Sequence, residues 1–133
     1  MGLNTAIIYG SARQARQGIK AARFVTRMLE QRGHTVTLID SEQYDLPMLD
    51  RMYKEYDPGT APADMTAISE ALSAADGLVI VSAEYNHSVP AALKNLLDHF
   101  QVERGVETPP DVLQDLEEVA GVLRRRRHAA SER

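Results

Sequence analysis

Thr5-Ala6-Ile7-Ile8-Tyr9-Gly10-Ser11-Ala12-Arg13-Gln14-Ala15-Arg16-Gln17-Gly18 is the stretch that decides the fold. Thr5 to Tyr9 is a short, partly β-branched apolar run, which is the pattern of a buried strand. Gly10-Ser11 breaks it, and polar residues follow to Gln17. From Gly18 onward the apolar residues Ile19, Ala22, Val25, Met28 and Leu29 recur at helical spacing. Gly33 stands where a helix is commonly ended by a left-handed residue. His34 to Ile39 then alternates as a second strand, closed by Asp40. Strand, loop, helix and strand in this order make a βαβ unit with parallel strands.

Working outward, the segment from Asp45 to Pro62 carries Pro47, Pro58, Gly59 and Pro62 and reads as an irregular loop. A helix is expected from Ala63 to Ala75, with Ile68, Leu72 and Ala75 turned inward. Leu78-Val79-Ile80-Val81 is a continuous apolar run, the pattern of a strand buried on both faces. Ser82 to Ser88 is a second loop. Pro90 suits a first helical turn, and Leu93, Leu96, Leu97 and Phe100 form the apolar stripe of the helix it opens. Beyond Phe100 the pattern changes. Gln101 to Pro110 is polar, Thr108 to Asp111 resembles a helix start, and Val112 to Leu123 is amphipathic. The expected class is α/β in a single domain over residues 1–133, with residues 101–133 an atypical C-terminal loop and helix.

The composition narrows the function. The 133 residues suffice for one core, and 44% apolar with 26% charged is ordinary for a globular protein. A net charge of −4 argues against nucleic acid as a partner, because phosphate backbones need a basic face. With no cysteine, disulfides, thiolate catalysis and Cys-ligated zinc are excluded, and a reducing cytoplasm is the expected compartment. The start carries no signal-peptide pattern. No apolar run approaches the ~20 residues of a membrane span.

Both polar loops leave the C-terminal ends of strands expected to be neighbours in one sheet, the edge where open α/β sheets bind ligands. Loop Gly10–Gln17 offers main-chain N–H groups near a helix start, the Ser11 hydroxyl, and the guanidinium groups of Arg13 and Arg16. Dipole, donors and charge together favour a phosphate dianion. The glycine and lysine spacings of the Walker and dinucleotide motifs are absent. A polar turn with solvated arginines is the other reading of the same residues. Loop Ser82–Ser88 offers a Tyr ring, an Asn amide and main-chain amides suited to a planar heterocycle.

The ordered set Gly10-Ser11-x-Arg13-x-x-Arg16, Leu46-Pro47-x-Leu49-Asp50, Ala75-Asp76-Gly77-x-Val79 and Glu84-Tyr85-Asn86-His87-Ser88-x-Pro90-Ala91-Ala92-Leu93-Lys94-Asn95-x-x-Asp98 resembles the NAD(P)H-dependent FMN reductase family. The run from Glu84 to Asp98 is the specific part. The resemblance implies a flavodoxin-like parallel sheet with flanking helices and a non-covalent FMN, with NADPH or NADH as co-substrate. Ser11, Arg13 and Arg16, with Gln17 closing the loop, fall where that family holds the phosphate. Ala83, Glu84, Tyr85, Asn86 and His87 fall in the loop that contacts the flavin ring, with Ala83 where the family commonly has Pro. The chemistry resides in the cofactor, so no side chain is assigned as acid or base.

The family pattern usually continues after the helix near Phe100 with a fourth strand, a glycine-rich flavin loop, another helix and a fifth strand. This sequence shows no such pattern, so a truncated sheet of about three strands is expected. The strand at Leu78–Val81 would then be an apolar edge, which invites pairing with a second copy. Three functions stay open here: an NAD(P)H oxidoreductase reducing a flavin, a quinone or another small acceptor; a non-catalytic relative, with or without flavin, serving as an oligomeric partner or scaffold; and an electron carrier, which the arginine-bearing loop and mild acidity disfavour.

Overall fold

A computed structural model of the chain describes residues 1–100. The order is β1 (Asn4–Tyr9), α1 (Ile19–Gln31), β2 (Thr35–Asp40), a short 3-10 turn (Tyr53–Glu55), α2 (Ala63–Ala74), β3 (Gly77–Val81) and α3 (Ala91–His99). The strands form one parallel sheet in the order β2-β1-β3, with Ile7 opposite both Leu38 and Val79. The α/β class and the three-stranded parallel sheet expected from the sequence are therefore present. The expectations for Thr108–Asp111 and Val112–Leu123 lie outside the described residues.

β1 is central, and Ala6, Ile7, Ile8 and Tyr9 are all buried. Alternation along the strand divides them between two layers. Ala6 and Ile8 join Ile39, Ile68, Leu93 and Leu96 in the main core, so α2 and α3 cover that face. Ile7 and Tyr9 face the other way, and the Tyr9 ring runs beneath Gly18, the residue that precedes α1. α1 ends as its sequence requires. Gly33 has φ +85°, the Gly33 N–H bonds the Glu30 carbonyl at 2.9 Å, and the His34 N–H bonds the Leu29 carbonyl at 3.1 Å. This Schellman arrangement fixes the entry into β2.

β3 is not buried on both faces. It pairs with β1 alone among the described residues, and Ile80 is 45% exposed. A continuous apolar run reports what a strand could bury, whereas the number of neighbouring strands decides what it does bury. α3 departs from expectation in a second way. Its fully buried residues are Leu93, Leu96 and His99, while Leu97 and Phe100 are half-buried against the core.

His99 explains the irregular segment after β2. Its Nε2 lies 2.9 Å from the Pro47 carbonyl oxygen and its Nδ1 lies 3.3 Å from that of Arg51. One turn earlier, Asn95 donates from Nδ2 to the same Pro47 carbonyl at 2.9 Å and accepts the Leu49 N–H on Oδ1 at 2.9 Å. Two polar side chains four residues apart thus pin the Pro47–Arg51 loop to α3. Lys94 and Asp98 form an exposed ion pair on the same helix.

Candidate functional site

The candidate site gathers at the C-terminal ends of β1, β2 and β3. In the order β2-β1-β3 the chain leaves β1 on one side for β2 and returns on the other as β3. In open α/β sheets such a reversal is where the ligand crevice forms, which here is above β1 and β3.

Gly10 continues the β1–β3 ladder, its N–H bonding the Val81 carbonyl at 3.1 Å. It also lies against α3, since a Cβ at this position would sit 2.6 Å from the Leu93 Cβ. Ser11 follows and is fully buried. Its Oγ is hydrogen-bonded to the Tyr85 Oη at 2.5 Å, which joins the loop after β1 to the loop after β3. The Arg13 guanidinium carbon stands 5.7 Å from the centroid of the Tyr85 ring. Arg13 is exposed and makes no ion pair among the described residues. No side chain caps α1, and its first turn contains no acid. The N–H groups of Ala12, Gln14 and Ala15 make no hydrogen bond among the described residues. Unused donors, an uncapped helix start and an exposed cation are what an anion needs.

Arg16 is placed differently. Its NH1 donates to the Ser11 carbonyl at 2.9 Å and to Asp40 Oδ1. Its NH2 donates to Asp40 Oδ2 at 2.7 Å and pairs with Glu42. The guanidinium carbon lies 5.3 Å from the centroid of the Tyr9 ring. The hydrogen bond to Asp40 raises this guanidinium above the ordinary arginine value, helped by the charges of Asp40 and Glu42 and opposed by burial. Arg16 is therefore a fixed cation inside the wall, and of the two arginines Arg13 is the one exposed and without an ion pair among the described residues. Gln17 is exposed and uses its carbonyl to accept the Lys20 N–H at 3.1 Å.

The loop after β3 folds into a tight turn. Tyr85 and Ser88 exchange two main-chain hydrogen bonds, at 3.0 and 3.1 Å. Between them Asn86 has φ 51° and His87 has φ 60°. Left-handed backbone at two successive central residues is the signature of a type I′ turn, normally occupied by Gly, Asn or Asp. A histidine there carries strain of about 1–3 kcal/mol, and the rest of the fold sustains it. The N–H groups of Asn86 and His87 make no hydrogen bond among the described residues. The His87 side chain is 99% exposed, with Nδ1 3.4 Å from the Glu84 carboxylate. Ala83 is half-buried at the base of the loop.

The structure thus brings Ser11, Arg13 and Tyr85 together, pairs Glu84 with His87, and turns Arg16 toward β2. The sequence reading missed Asp40, Glu42 and Tyr9 as neighbours of the phosphate loop. An acid closing the strand beside β1 was the available signal.

The Ser11–Tyr85 link yields a direct test. Tyr85→Phe removes the short hydrogen bond of the buried Ser11 hydroxyl and leaves it only the long one from the Arg13 N–H at 3.5 Å, which costs about 1–3 kcal/mol. Ser11→Ala is expected to cost a similar amount, and the double variant little more than either single one. Chemical denaturation of the four proteins measures this coupling, and strictly additive losses would refute the link.

A family model described as NADPH-dependent FMN reductase matches residues 3–116. The chain belongs to this family. A curated quinone reductase from Escherichia coli (strain K12) is 43% identical over 54 residues, which is 41% of this chain and 28% of that protein. Among solved structures, an NAD(P)H:quinone oxidoreductase from Methanothermobacter marburgensis superposes with a TM-score of 0.59 at 20% identity, covering 74% of this chain and 53% of that one. A flavoenzyme NAD(P)H:(acceptor) oxidoreductase from Paracoccus denitrificans gives a TM-score of 0.56 at 20% identity, covering 78% and 54%. These superpositions establish the flavodoxin-like fold. The chain matches about half the length of these structures and under a third of the curated relative. FMN with NAD(P)H, the cofactor pair expected from the sequence, is that of the FMN reductase family.

Proposed function

We propose that this member of the FMN reductase family binds FMN at the crevice above β1 and β3 and passes electrons from NADPH or NADH to a small-molecule acceptor such as a quinone or a free flavin. The observation that carries this reading is the loop Gly10–Gly18. An Arg13 without an ion pair and N–H groups without hydrogen bonds among the described residues converge there with an uncapped α1, next to a tyrosine supplied by the loop after β3. When bound, FMN supplies the two-electron step. The chain's residues bind and orient. Arg13 and the N–H groups of Ala12, Gln14 and Ala15 hold the phosphate. The unused N–H groups of Asn86 and His87 are donors for the edge of the ring, and the Ser11–Tyr85 bond sets the distance between the two loops. Glu84 and His87 form the outer rim.

The visible spectrum of the purified protein tests the cofactor, and NADPH oxidation with FMN or a quinone tests turnover. A flavin absorption band together with turnover supports the reading. FMN binding without turnover supports the second reading, a non-catalytic partner or scaffold subunit. A colourless protein that fails to bind added FMN overturns both flavin readings and supports the flavin-free partner or scaffold.

The same proposal includes a homo-oligomer formed through the β3 edge or the adjacent helices, because Ile80 is exposed on that edge. Light scattering checks it, and a stable monomer at micromolar concentration would refute it. No described helix is long and apolar enough to cross a membrane. The proposed compartment is the cytoplasm.

A further inference from the structure

Asp40 has no place in the function proposed above, yet it is a carboxylate only 2% exposed at the rim of the site. It closes β2 in register with Tyr9, and both its oxygens meet the same guanidinium. Its Oδ1 also accepts the Glu42 N–H at 3.2 Å, which fixes the rotation of the carboxylate. Arg16 is thereby held on one side by a two-pronged carboxylate and on its face by the Tyr9 ring. The remaining hydrogen of NH1 goes to the Ser11 carbonyl at 2.9 Å.

That last bond reaches the phosphate loop. A trans peptide is planar, with C=O and N–H pointing in opposite directions. Holding the Ser11 oxygen toward Arg16 therefore turns the Ala12 N–H away from Arg16, toward the solvent side of the loop. We propose that Asp40 is a positioning residue for the anion loop: through Arg16 it fixes the Ser11–Ala12 peptide so that the first donor of the loop faces the bound phosphate. The role is geometric and not one of charge. Arg16 with Asp40 and Glu42 sums to a net negative cluster, which by itself repels a phosphate. The inference rests on the reading of Gly10–Gly18 as a phosphate loop.

Geometry and charge predict opposite signs, which makes Asp40→Asn decisive. The substitution keeps the shape and removes a negative charge near the phosphate. If charge governed, FMN would bind more tightly. If Asp40 positions the loop, FMN binding weakens by about tenfold or more, the scale of one hydrogen bond to a charged group. Riboflavin, which lacks the phosphate, serves as the internal control and is expected to change little. Arg16→Lys keeps the charge and the pairing with Asp40 but cannot hold Ser11 and both carboxylate oxygens at once. It is expected to reproduce the selective loss of FMN even if Asp40→Asn folds poorly.

A second measurement is independent of flavin. Backbone amide order parameters of Ala12, Gln14 and Ala15 in the ligand-free protein are expected to fall from the rigid range near about 0.85 to below about 0.6 in either variant. Wild-type protein that fails to bind FMN would defeat the flavin reading alone, and the order parameters would still judge the strut. Tighter or equal FMN binding in both variants, or unchanged order parameters, would overturn the role of Asp40.

Discussion

Gly10→Ala is expected to destabilise the protein by about 1–3 kcal/mol or more, the cost of forcing a methyl group into a filled core. The added Cβ would lie 2.6 Å from the Leu93 Cβ, 2.9 Å from its Cδ2 and 3.1 Å from its Cγ. Leu93 cannot swing aside, since it is 1% exposed within the main cluster. Gly10 cannot retreat either, because its N–H is engaged with the Val81 carbonyl. The strain must be relieved by moving α3 away from β1. Truncating the leucine does not rescue the variant, since alanine keeps the Cβ that makes the closest approach. Urea or guanidinium unfolding reads the effect as a lower midpoint. A midpoint within error of wild type, or full rescue by Leu93→Ala, would contradict the packing described here.

Arg13→Ala is expected to weaken FMN binding by about 1.5–3 kcal/mol, roughly ten- to more than a hundredfold, with little loss of stability. Arg13 is exposed and makes no ion pair among the described residues, so its removal leaves none of their carboxylates buried and unpaired. Its contact with the Tyr85 ring is of the exposed kind, worth about 0.5–1 kcal/mol. Fluorescence titration with FMN and riboflavin separates the phosphate term from the ring term. The difference between the two ligands is expected to shrink as salt is raised in wild type and to be small at all salt in the variant. Unchanged FMN affinity would remove the phosphate assignment of this loop.

Much of the fold was legible because it is written locally. Thr5–Tyr9, Ile19–Leu29 and Gly33 each announce their element within a few residues, and the structure places β1, α1 and the helix stop there. What escaped depends on partners distant in sequence. Arg16 looks like a free cation until β2 brings Asp40 beside it, 24 residues on. His99 breaks the apolar stripe of α3, and its partners Pro47 and Arg51 lie in a loop about fifty residues earlier. Ile80 belongs to an apolar run whose burial depends on a neighbouring strand, which no local pattern encodes. The loops of the candidate site were visible as loops. The left-handed turn at Asn86 and His87 was not, because only the asparagine is a customary residue for it.

The nine-residue helix α3 has a mechanical consequence. Asn95 and His99 grip Pro47–Arg51, and only Val89 and Pro90 separate the helix from the Tyr85–Ser88 turn. A helix of this length is a stiff rod of about 13 Å. The Pro47–Arg51 loop, which carries the exposed Met48, and the turn that carries His87 therefore ride on one lever. A molecule pressing on either segment tilts the other, so the two are expected to move as one. In relaxation-dispersion NMR the amides of Leu49 and Ser88 should then share one exchange rate, and two separate rates would show that the two segments move independently.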